Sequence, residues 1–197
     1  MEAVARPRWS IDGLLRLMRY GRDRPERDHL WQVDVYAGTP KKYTGHRRTH
    51  GLNTNNWGNV LQFILNYSTS TGSVNATNTS GTSVSLSNSP SSPFNSVGNN
   101  TYVQLGSGTT APTRSDYNLT SPISGMGNIT FSQTLNANNQ MVGSAAISYT
   151  SSTTVSEVGL FVEWNSGGTA YTFLLDHAVF SSLSGTLFTI VYQIPVD

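Results

Sequence analysis

The chain has 197 residues and no cysteine, and only 12% of its residues are charged, 12 Lys and Arg against 11 Asp and Glu. That length suits one domain, or one domain with an arm, and a domain of ~150 residues buries about 70% of its unfolded surface, so no covalent staple is required. The missing thiols exclude disulfides and cysteine-ligated metal sites.

The net charge of +1 conceals two unlike parts. Positions 1–50 hold eleven of the basic residues and six acids, net +5; the remainder holds one base, Arg114, and five acids, net −4. The longer part is rich in Ser, Thr, Asn and Gly yet carries β-prone apolar runs. Such a surface suits an extracellular or particle-exposed protein better than a cytosolic enzyme. The start, MEAVARPRWS, has no secretory pattern, and no apolar run approaches the ~20 residues that span a bilayer.

In chain order, Ser10-Ile11-Asp12 is placed to cap a short helix over residues 11–20, with Ile11, Leu14, Leu15 and Met18 on one face and Gly21 at its end. With only Arg16 and Arg19 off that face, docking on protein is the plainer reading and membrane or nucleic-acid contact the sharper one. Residues 21–28, GRDRPERD, read as a solvated loop. Residues 30–36, LWQVDVY, alternate and predict a strand whose apolar face is Trp31, Val33 and Val35. Residues 39–50, TPKKYTGHRRTH, form a basic knot with Lys41, Lys42, Arg47 and Arg48. It reads as a solvated loop or inter-subunit linker, or else as a phosphate contact, for which a local positive field suffices. Tyr43, its one aromatic, is too little for a single-strand stacking platform. His46 and His50 have the spacing of paired metal ligands on a helix, but Arg47 and Arg48 between them oppose a dication, so no metal or other cofactor is expected.

Residues 57–67, WGNVLQFILNY, place Val60, Leu61, Ile64 and Leu65 on a helical stripe with Asn55 or Asn56 as cap, although so apolar a run also suits a buried strand. Residues 68–100 are low in complexity and read mainly as surface loops, with a short strand at 84–86. Six Asn-x-Ser/Thr triplets begin at Asn66, Asn75, Asn78, Asn99, Asn118 and Asn128, as so Asn-rich a composition would produce by itself.

Residues 102–122, TYVQLGSGTTAPTRSDYNLTSP, open as a strand that Gly106-Ser107-Gly108 turns, on the expectation that glycine takes φ > 0 there. Pro112 removes the chain from strand pairing, and Thr113-x-x-Asp116 has the offset of a capping box for one helical turn over residues 113–119. Beyond Gly127 the pattern is of strands: residues 128–135, 141–149, 154–164, 170–180 and 187–194, with hairpin turns at Asn138-Asn139 and at residues 165–168. Short strands at regular spacing indicate a mainly β chain, an antiparallel β-sandwich.

No catalytic constellation is found. Asp176 and His177 are strand neighbours and point to opposite faces. Glu157 and Glu163 share a face but stand roughly 20 Å apart, too far for paired-carboxylate hydrolysis. No serine stands in a G-x-S-x-G elbow, and the 106–110 glycines lack the lysine of a P-loop. Glu157 reads instead as an acceptor for backbone amides at a strand edge.

Gly106-Ser107-Gly108-Thr109-Thr110-Ala111-Pro112-Thr113, then Ser115-Asp116 and Leu119, then Glu157-Val158-Gly159-Leu160-Phe161 and the apolar strand 187–194, stand in an order that resembles a pattern in small virion proteins of tailed phages and archaeal viruses. The likeness covers residues from about 57 to the C-terminus. It implies a tail-fibre, baseplate or particle-surface component, often with a helix leading into the sandwich near residue 57. It marks Gly106, Gly108, Pro112, Asp116, Glu157 and Gly159 as the structural turn. The expectation is then a non-enzymatic virion protein: a basic arm with a short helix and strand, residues 1–52, before a β-sandwich, residues 53–197. It would assemble through contacts with copies of itself and other virion proteins. Lys41, Lys42, Arg47 and Arg48 would meet a neighbouring subunit, drawn by the −4 of the β domain. The rivals are a jelly-roll capsid protein whose arm meets packaged nucleic acid, and a carbohydrate-binding module that stacks sugars on Trp57, Trp164 and its tyrosines.

Overall fold

The structure, a computed structural model, describes residues 31–39, 42–66, 73–87, 101–132, 134–166 and 169–195. The expected helix over residues 11–20, the loop after it and Lys41 lie outside the described residues. In chain order the elements are β1 (Gln32–Thr39), β2 (Lys42–His50), β3 (Leu52–Asn53), α1 (Asn55–Asn66), β4 (Ser73–Thr77), β5 (Ser83–Ser87), β6 (Thr101–Gly106), β7 (Pro122–Asn128), β8 (Thr130–Phe131), β9 (Gln140–Ser166) and β10 (Thr169–Pro195). The protein is mainly β and antiparallel, as its alternation predicts.

β9 and β10 are each 27 residues long and pair with one another along almost their whole length. The four separate strands expected over residues 141–149, 154–164, 170–180 and 187–194 are therefore the two ends of two continuous, bent strands. The bends coincide with register shifts between Leu174 and Asp176, between Val179 and Leu183, and between Gly185 and Leu187. Bulges bend a strand and increase its twist, and that lets one hairpin serve two layers. The order β2-β1-β10-β9-β6-β7 uses both ends. β1 pairs with residues 188–193 of β10, while β6 pairs with residues 157–162 of β9. Val33, Val35, Ile147, Phe188, Ile190 and Tyr192 from the first layer meet Val103, Leu105, Val158, Leu160 and Phe180 from the second in one core. The arrangement is sandwich-like, with the sheet folded over onto itself.

The expected boundary at residue 52 does not survive. The alternation of residues 30–36 predicts the face of β1 correctly: Trp31 is buried, and Val33, Val35 and Ala37 are fully so. A strand that gives three side chains to the core belongs to the domain. The basic knot is likewise no loop, for β2 pairs with β1 from Gln32↔His50 to Thr39↔Lys42.

The apolar stripe before residue 67 forms α1, not a strand. Neither Asn55 nor Asn56 caps it by its side chain. The Asn55 N–H donates to the Arg114 carbonyl (2.7 Å). Asn56 instead pairs with Thr77 as a strand would, donating to its carbonyl (2.7 Å) and accepting from its N–H (2.8 Å). Val60 and the β4–β5 hairpin (Ala76, Val84, Leu86) close a second core with Val162, Trp164 and Phe173. The expected strand near residue 84 is thus one arm of a hairpin, paired with residues 73–77 of the same low-complexity region.

Candidate functional site

Alternation along β9 sends Val158 and Leu160 into the main core and Glu157, Gly159 and Phe161 to the other face. On that face lies the segment 107–121, held there by an apolar and a polar contact. The apolar one is Leu119 against Phe161 and Leu174. Gly159 makes room for it, since a Cβ there would stand 2.8–2.9 Å from Leu174, Phe161 and Leu119.

The polar contact is a triad of the buried Glu157 and His177 with the half-buried Asp116. His177 Nε2 lies 3.0 Å from Glu157 Oε2, and Nδ1 lies 2.7 Å from Asp116 Oδ2. A carboxylate only accepts, so satisfying both requires both ring nitrogens to donate, which makes the ring an imidazolium. Glu157 also accepts from the backbone N–H groups of Gly108 (3.0 Å), Thr120 (3.0 Å) and Ser121 (2.7 Å). Burial pushes the Glu157 carboxyl up, but the His177 bond and the three amides outweigh it and hold its pKa below the ordinary value. Asp116 is held low in the same way, burial being outweighed by the Thr113 hydroxyl and N–H and by His177. For His177, burial pulls down, and the two carboxylates more than reverse it.

Glu157 therefore does bind backbone amides, in the interior of the sheet rather than at an edge, since β9 runs between β10 and β6. Gly106 and Gly108 need no left-handed backbone: positive φ among the described glycines occurs at Gly38, Gly81 and Gly125. Their requirement is close approach. A Cβ on Gly106 would collide with Glu157 Oε1, and one on Gly108 would stand 2.7 Å from it. Half of the capping box exists, the Thr113 N–H donating to Asp116 (2.9 Å). It closes a turn with Asp116 N–H on the Thr113 carbonyl (3.2 Å) rather than a helical turn, while Pro112 is half-buried in the same loop. Sequence reading missed His177, whose partners lie 20 and 61 residues away. Its only local signal is a histidine on the Glu157 face of an otherwise apolar strand.

Asp176 faces the opposite way, into the core, fully buried, with the Tyr192 hydroxyl near it but no well-formed hydrogen bond to either oxygen. Burial pushes its pKa up to about 7 against the opposing influence of Tyr192 and His177. Gly51 covers it, for any Cβ there would overlap the carboxyl.

The two arginines of β2 are engaged within the chain. Arg47 donates to the carbonyls of Ser181 (3.0 Å) and Ser182 (3.2 Å), and Thr49 to that of Val179 (2.9 Å), closing the bend of β10. Arg48 holds Asp34 through two bonds (2.8 and 3.2 Å), and His46 Nε2 lies 2.8 Å from the same carboxylate. Burial raises the Asp34 pKa, but Arg48, His46 and Gln32 prevail and lower it. Lys42 is exposed at the hairpin end. The carboxylates Asp34, Asp116, Glu157 and Asp176 are thus spent on internal contacts or buried, and three of them, Asp116, Glu157 and Asp176, belong to the five acids of the β domain. Trp164 is buried and offers no face to a sugar, while the half-buried Trp57 packs edge-on against Trp31 with centroids 4.7 Å apart. The chain matches no protein-family model, no curated protein and no solved structure.

Proposed function

We propose that the protein is a non-enzymatic structural component of a virus particle, a tail, fibre-base or capsid-surface part, that assembles through repeated contacts between its own copies and with other virion proteins. The observation that carries this reading is that the separated pieces of the virion-like pattern meet in space. Gly106, Gly108, Thr113 and Asp116 gather with Gly159 around the buried Glu157 and His177. The final piece, strand 187–194, gives Phe188, Ile190, Tyr192 and Ile194 to the adjoining core. Residues that form one physical unit are less easily three chance matches. The polar cluster also favours a fixed loop over chemistry, since Glu157 and His177 are buried with every favourable bonding position on the ring already used.

A weakly charged Ser/Thr/Asn surface, with Glu157 and Asp176 buried and Asp116 bonded to His177, lets identical copies approach with little mutual repulsion. The test is the mass of the purified chain by light scattering across a wide concentration range, with electron microscopy of the same sample. A discrete closed oligomer or a regular array is expected. A monomer at every concentration, with no assembly on addition of the other proteins of its particle, overturns the reading.

A further inference from the structure

We propose that the outer face of the β1–β2 hairpin binds single-stranded nucleic acid. Three rings are stacked there. Tyr43 leans on Tyr36 with centroids 4.6 Å apart and the planes tilted by 31°, and Tyr36 lies on His46 at 4.3 Å with the planes 11° apart. Strand alternation alone would put Tyr43 and His46, three residues apart, on opposite faces. The bulge changes that. Ala37 pairs with Gly45 and Gly38 with Tyr43, so one extra residue of β2 reverses the alternation and turns Tyr43 onto the face of Tyr36 and His46. Gly38 is required for the bulge, with φ +101° and the Lys42 carbonyl where a Cβ would stand.

Around the stack are cations. Arg48 follows His46 on the same face of β2, and Lys42 is exposed at the end of the hairpin. Tyr43, His46 and Arg48 stay 42%, 41% and 56% exposed, although Asp34 beneath them fixes the positions of His46 and Arg48. Ring faces take bases without regard to sequence, and cations take phosphates. A duplex hides its base faces, so the rings favour a single strand. Binding here does not depend on particle assembly, and a monomer would carry it equally.

The full chain is titrated, by fluorescence anisotropy, with labelled oligo(dT), oligo(U) and a duplex of equal length. Single strands of both sugars should bind at micromolar concentrations, with log affinity falling by about 0.7 per log unit of salt for each phosphate contacted. The duplex should bind roughly tenfold more weakly. Tyr43→Ala should weaken single-strand binding roughly tenfold while Tyr43→Phe, which keeps the ring, should not. Lys42→Ala should reduce the salt slope and keep the preference for single strands. Unchanged circular dichroism melts establish that the variants fold. Absence of binding at low salt overturns the proposal. So does equal binding of duplex, single strand and heparin with Tyr43→Ala indifferent, which would mark a general positive field.

Discussion

Asp176 and His177 are adjacent in β10 and equally buried, yet the protein treats them in opposite ways. His177 points to the loop-covered face, where two carboxylates and three backbone N–H groups complete a closed set of bonds. Asp176 points into the core beside Gly51, where the Tyr192 hydroxyl stands near but no well-formed hydrogen bond reaches either oxygen. The first site stabilises charge and the second suppresses it. Burial alone therefore decides little; the supply of donors and acceptors decides whether an ionised group survives inside.

The most damaging change removes one side of the comparison. A chain beginning at Asn53 lacks Gly51, which covers Asp176, and all of β1, whose Val33 is paired with Tyr192. With Val33, Val35 and Ala37 gone from the core, it should be unfolded by circular dichroism and largely insoluble. A soluble, strand-rich product would restore residues 1–52 as a separable arm.

Next comes Glu157→Ala, which leaves three N–H groups and an imidazolium without an acceptor. Breaking such a buried set costs about 3–5 kcal/mol, read as a lowered denaturation midpoint with the same slope. A cost below about 1 kcal/mol would mean that the loop is held by Leu119 and its apolar neighbours alone.

How much of this was legible in the sequence follows from the range of the interactions. Alternation around Val33, Val35, Ala145, Ile147, Val158 and Leu160 reports local backbone geometry, so the strands and their buried faces could be read directly. Pairing is not local. Nothing near residue 50 reveals that β1 lies beside residues 188–193, and a change in charge density proved a poor guide to a domain boundary. Bulges are the other blind spot, because one inserted residue reverses every later prediction of face. The shift at Leu175 lets Leu175 and Asp176 both turn inward, and the shift in β2 makes a ring stack where one tyrosine was visible. Of the site, the Glu157 amide contacts and the Thr113–Asp116 link were legible from spacing and residue type. His177 was not, because it becomes a partner only once the loop has folded back.

Asp176→Asn sharpens the contrast through pH. The folded pKa of about 7 lies above the ordinary 3.8, so between those values the folded protein holds a proton that the unfolded chain has released. Stability from this group is therefore greatest in acid and falls as pH rises through 7. The asparagine variant has no such proton, so the difference between the two proteins should change in its favour by on the order of 3 kcal/mol between pH 4 and pH 8. Parallel pH profiles in urea unfolding would show that Asp176 finds a donor when it ionises.

The smallest effect is expected at Asp116, the half-buried member of the triad. Asp116→Asn keeps the shape and one acceptor oxygen but loses a charge beside His177, at a cost of about 1–2 kcal/mol. Its more telling effect is on the imidazole. With its pKa raised in the folded state, His177 contributes stability that is complete below the ordinary value near 6.5 and is lost as pH rises through the folded value. Removing one of the two carboxylates that raise it should move that loss to lower pH, and the proton resonances of the His177 ring, followed by NMR, should titrate earlier by the same shift. Glu157 and its amides remain, so the loop should stay in place while the titration moves. If the ring titrates unchanged in the variant, Asp116 is only a turn-former for Thr113, and the imidazolium belongs to Glu157 alone.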